Sequence, residues 1–124
     1  INLPLMVYWQ SLGEAMSIAI NSGIKFDQAL DIMMDSSGSA KVAHLKAKPI
    51  MQAMDDETNL TSTFDVSSSL KDMKLMIDEG AKNNIDLRVI NSAMSYVQEA
   101  VDNGWSDFDA SLLSVYISKQ NFIK

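Results

Sequence analysis

Between residues 2 and 22, apolar side chains return at Leu5, Trp9, Leu12, Met16 and Ile20, and Tyr8, Ala15 and Ala19 widen the stripe they make. Steps of three and four residues put these positions on one side of an α-helix. A long, mostly buried first helix is therefore predicted, about 30 Å from end to end at ~1.5 Å per residue. Asn2 begins it and is its expected N-cap, and Gly23 supplies a left-handed stop. A second helix carries Ala29, Leu30, Met33 and Met34 on its apolar face, with Asp27 as cap and Phe26 as a hydrophobic staple before the cap. Ser36, Ser37 and Gly38 end it. A short helix over residues 40–45 comes next. Pro49 disfavours helix at Lys48 and is expected in the first turn of another short helix reaching Met54. The acidic and polar residues 55–63 read as a loop.

The helical period resumes over residues 64–82 with Val66, Leu70, Met73, Met76, Ile77 and Ala81, and over 87–102 with Ile90, Ala93, Met94, Val97 and Val101. Asn83-Asn84 and Asn103-Gly104 are the stops, and Ser106 with Asp109 resembles a capping box for a last helix through about Lys119. No strand-like alternation persists beyond a few residues and no fixed repeat recurs. The expected fold is a single all-α domain over residues 1–124, a bundle of five to six helices led by the long N-terminal helix.

Composition narrows the function. A length of 124 residues with 47% hydrophobic content supports one domain with a real core. A net charge of −6 with ten scattered basic residues argues against a phosphate-backbone binder. Without cysteine there is no disulfide, thiolate metal site or thiol nucleophile, which suits a cytoplasmic location. No leader pattern is evident, and no apolar run reaches the ~18 residues a membrane span requires. Because Ile1 enters directly into a helical pattern, the chain is expected to start at a cut end.

Few polar residues fall on the helical faces. Glu14 is expected at a solvated edge or as partner of a nearby amide, without a second carboxylate beside it. His44, the single histidine, sits among Lys41, Lys46 and Lys48, and without other good ligands it makes no zinc site. Asp55-Asp56-Glu57 lacks the alternating oxygens, glycine and terminal Glu of a calcium loop and reads as solvated. The nine methionines mostly fall on inward stripes, so they are expected to fill the core. Lys71 and Asp72 flank the apolar stripe of their helix, Lys71 just after Leu70 and Asp72 just before Met73. Such an edge either carries a solvated ion pair or lines a cleft.

In order along the chain come Asn2, Leu12-Gly13-Glu14-Ala15, Gly23-Ile24-Lys25-Phe26-Asp27, Phe64 seven residues before Lys71-Asp72-Met73, and Gly104-Trp105-Ser106-Asp107-Phe108-Asp109-Ala110-Ser111. This succession, which covers nearly the whole chain, resembles the C-terminal domain of the β-hydroxyacid dehydrogenase family of the 3-hydroxyisobutyrate dehydrogenase and tartronate semialdehyde reductase type, related to 6-phosphogluconate dehydrogenase. The resemblance implies a helical substrate and dimerisation domain whose first helix lies between domains. Its partners would be an N-terminal Rossmann domain of the same polypeptide, a small hydroxyacid substrate and further copies of the chain, as a homodimer or larger homo-oligomer. The cofactor would be NAD or NADP, bound mainly by that other domain. In the family's Lys-x-x-x-Asn motif the lysine is the general acid/base and the asparagine binds substrate. Asn2 takes the asparagine's place, and the lysine would lie upstream of Ile1, so this segment alone is not expected to turn over. The Phe-x6-Lys-Asp motif maps onto Phe64, Lys71 and Asp72, with Lys71 on the cofactor and Phe64 and Asp72 shaping the substrate pocket. Asn84-Ile85-Asp86-Leu87 departs from the family's usual Gly-hydrophobic-Pro, which implies a different loop there. Two other readings compete: a non-catalytic helical oligomerisation or interaction module, and a stand-alone helical bundle with a buried ligand. The presence upstream of the lysine and a G-x-G-x-x-G loop is what separates them from the dehydrogenase.

Overall fold

A computed structural model describes residues 2–56 and 62–122 of the chain. Among these residues there are six α-helices and no strand: α1 (Leu3–Asn21), α2 (Phe26–Asp35), α3 (Ala43–Asp55), α4 (Val66–Lys82), α5 (Arg88–Asp102) and α6 (Leu113–Gln120), the last entered through a 3-10 turn, Ala110–Leu112. The all-α expectation is met.

α6 lies at the centre. Residues 113–118 are buried without interruption, so the helix presents no solvated face, and α1, α3 and α5 pack around it. Its buried serines are satisfied locally, Ser114 Oγ donating to the Ser111 carbonyl and Ser118 Oγ to the Ser114 carbonyl, each at 2.7 Å. α1 contributes Trp9, Leu12, Met16 and Ile20 to the core as its periodicity predicts, while at its start Met6 is buried and the expected Leu5 is half-buried. All nine methionines are in the core or packed against it, which agrees with their expected role as core filler.

The stops are where the sequence puts them. Gly23 and Gly104 take φ of +95° and +87°, and Asn84 is the one non-glycine described at positive φ, +55°. α4 and α5 form a hairpin around Asn84.

Several starts differ. Asn2 occupies the N-cap position of α1, but its side chain makes no capping hydrogen bond; Pro4 in the first turn removes one N–H that would need a cap. α2 begins at Phe26, one residue before the expected cap, and Asp27 accepts from the Gln28 N–H at 2.8 Å within the first turn. The two short helices expected around Pro49 are one helix, α3, preceded by a turn. Pro49 deletes one backbone bond, to the Leu45 carbonyl, yet Ala43, Ile50 and Ala53 on either side of it are completely buried, and their shared apolar face keeps the helix continuous. Phe64 precedes α4 rather than starting it. Asp65 is the cap, accepting from the Ser68 N–H at 2.7 Å. Asp109, not Ser106, caps the final helical segment, accepting from the Ser111 N–H at 3.0 Å. Glu57 and most of the expected acidic loop lie outside the described residues, while Asp55 ends α3 and Asp56 caps its C-terminus.

Candidate functional site

Phe64, Lys71 and Asp72 share one structural unit, α4 and the residue pair before it. Leu70 and Met73 turn into the core, which leaves Lys71 exposed and Asp72 half-buried at the stripe's edge. Lys71 has no hydrogen bond or ion pair with any described residue. Phe64 is half-buried against the core, its carbonyl accepting from the Ala110 N–H at 2.8 Å. Asn2 is exposed at the opening of α1, and the chain one turn on touches α4: Ser69 Oγ donates to the Met6 sulfur at 3.3 Å. The start of α1 and the first turn of α4 are thus in contact. A groove of about 260 Å³ between α1 and α5 is lined by other residues, Val7, Gln10, Glu14 and Tyr96 among them.

The remaining candidates have structural surroundings. Glu14 is exposed and accepts from the Tyr96 hydroxyl at 2.7 Å, a phenol partner in place of the expected amide. This bond to Glu14, with some burial, pushes the Tyr96 phenol up to about 12. His44 is exposed, its Nε2 lying 3.3 Å from Ser39 Oγ. No group of three or more acidic or histidine side chains that could hold a metal occurs among the described residues.

Sequence reasoning missed a densely connected polar group among the described residues. The Asp109 carboxylate, 6% exposed, receives five hydrogen bonds: Oδ1 from the Ser111 N–H (3.0 Å) and hydroxyl (2.6 Å), and Oδ2 from the Thr63 N–H (3.0 Å), the Thr63 hydroxyl (3.3 Å) and Lys46 Nζ (3.2 Å). Lys46 Nζ also donates to Thr63 Oγ1 at 2.9 Å. Burial alone would push the carboxyl up, but the Ser111 hydroxyl and N–H, the Thr63 N–H and the Lys46 ammonium together hold it at about 2. Asp65 and Asp109 are also bridged through their backbones, Val66 N–H donating to the Phe108 carbonyl at 2.8 Å. Only the local Asp109 to Ser111 part of this cluster has a sequence signal, the spacing of a cap.

Residues 2–116 match the family described as NAD-binding of NADP-dependent 3-hydroxyisobutyrate dehydrogenase. The chain belongs to that family. Its fold is similar to that of 3-hydroxyisobutyrate dehydrogenase from Salmonella typhimurium, at a TM-score of 0.74 and 23% identity, over 91% of this chain and 38% of that one. It is also similar to Mycobacterium tuberculosis 3-hydroxyisobutyrate dehydrogenase with L-serine, at a TM-score of 0.75 and 18% identity, over 94% of this chain and 40% of that one. At these identities the likeness is one of fold, and the chain spans about two-fifths of either enzyme. No curated protein matches the sequence. Lys71 stands on the edge of α4, exposed and without a partner among the described residues. No helix among the described residues is long and apolar enough to cross a membrane.

Proposed function

We propose that this chain is the helical domain of an NAD(P)-dependent dehydrogenase that interconverts a small β-hydroxyacid and its semialdehyde in the cytoplasm, working with a Rossmann domain of the same polypeptide and as a homo-oligomer. The observation that carries this reading is Lys71, a cation with no partner among the described residues, held beside half-buried Asp72 on a helix that meets the start of α1. An ammonium in that position fits a phosphate or carboxylate oxygen, and its attraction grows as a closing cleft excludes water. Lys71 then holds the cofactor, Asn2 orients the substrate, and Phe64 and Asp72 shape the pocket around it. When bound, the nicotinamide cofactor supplies hydride transfer. The general acid/base and the nucleotide-binding fold come from other parts of the protein.

The alternative, a non-catalytic helical oligomerisation module, is favoured by the large apolar side chains left exposed, Ile18 at 72%, Leu45 at 78% and Val89 at 66%. Assaying the full-length protein and its Lys71→Ala variant with NAD and with NADP against several small hydroxyacids separates the two. The dehydrogenase reading expects turnover with one cofactor, and in the variant a cofactor KM raised ~10-fold or more with an unchanged melting temperature. Absence of turnover by the wild type, or wild-type kinetics in a variant that has lost stability, overturns it.

A further inference from the structure

We propose that the Lys46, Thr63 and Asp109 clasp is a positioning device for Phe64, setting the substrate-side wall of the cleft; the inference rests on the dehydrogenase reading above. The clasp joins three segments distant in sequence: α3 through Lys46, the approach to α4 through Thr63, and the turn into α6 through Asp109 and Ser111. Phe64 lies in the middle of it. The N–H of the preceding residue, Thr63, is held by Asp109 Oδ2 at 3.0 Å, and its own carbonyl is held by the Ala110 N–H at 2.8 Å. Two residues on, the Val66 N–H is held by the Phe108 carbonyl at 2.8 Å. The Phe64 main chain therefore has little freedom to shift along or around its direction. The next residue, Asp65, caps α4, so the same tie fixes the position of Phe64 against the helix that bears Lys71 and Asp72.

A buried ion pair is a weak means of stabilising a fold, because removing both charges from water offsets most of their attraction. It is a strong means of fixing geometry, since a carboxylate with five donors tolerates few displacements. Without Lys46, Asp109 keeps four of its donors, from Thr63 and Ser111.

In the full-length protein, Lys46→Met is expected to raise the hydroxyacid KM ~5-fold while leaving the cofactor KM within about two-fold. Thr63→Val, which deletes only the hydroxyl between Lys46 and Asp109, shifts it in the same direction and guards against a Lys46 variant that does not fold. In a Phe64→Ala background, Lys46→Met adds nothing, because the residue it positions is gone. An unchanged hydroxyacid KM in both clasp variants, or independent multiplication of the Lys46 and Phe64 effects, overturns the inference while the wild type remains active. A wild type without hydroxyacid turnover overturns the dehydrogenase reading, and the clasp's assigned role with it.

Discussion

Gly13 of α1 faces Ile117 of α6 so closely that a methyl group on its Cα would stand 2.8 Å from the Ile117 Cβ and 3.1 Å from its Cγ2. Both residues are buried, and the contact lies where the first helix crosses the central one. Gly13→Ala gains about 1 kcal/mol in helix propensity, but it drives α1 and α6 apart in a packed core, at a cost of about 1–3 kcal/mol that also loosens their other contacts. The variant is expected to be less stable by thermal or urea unfolding. A variant as stable as the wild type would mean that α6 moves aside cheaply.

The helices were legible because each has a wide apolar face. Trp9, Leu12, Met16 and Ile20 repeat at the helical period and are buried, with Leu5 half-buried beside the buried Met6. Stops were legible for the same local reason, since Gly23, Asn84 and Gly104 do adopt positive φ. Pro49 was misread because the force that overrides it, burial of Ala43, Ile50 and Ala53 against other helices, is tertiary. Caps were misread where several candidates stood close together: Asp65 and Asp109 bond their helix N-termini, whereas Asp27 and Ser106 do not play the part assigned to them. The clasp was beyond local reading altogether. Lys46 and Asp109 are 63 residues apart, and the cap spacing that marks Asp109 says nothing of Lys46. Of the candidate site, the edge position of Lys71 and Asp72 followed from counting along α4, and the order of motifs led to the family that residues 2–116 match.

Asp109 also sets a pH dependence. Its folded carboxyl sits at about 2, below the ordinary 3.8, so between those values the unfolded chain binds the proton more readily. The stabilisation is therefore fully present above about pH 5 and lost as the pH falls toward 2, amounting to about 2 kcal/mol at neutral pH. Urea unfolding of the wild type and of Asp109→Asn should show a gap near neutrality that closes in acid. A gap independent of pH down to about 2 would assign the stabilisation to packing instead.

Gln10 of α1 is the converse case, a buried polar group without reward. It is 3% exposed, and neither its amide nitrogen nor its amide oxygen has a hydrogen-bond partner among the described residues. It lines the groove between α1 and α5 with Val7, Ser11, Glu14 and Tyr96. An unpaired buried amide costs about 1–3 kcal/mol, so replacing it by a side chain of similar volume and no polar atoms removes that cost. Gln10→Met in the full-length protein is therefore expected to raise the urea midpoint, by the equivalent of about 1 kcal/mol, without changing the slope. A lower midpoint would mean that the amide is paired in the assembled protein, since losing a made hydrogen bond destabilises where losing an unmade one does not.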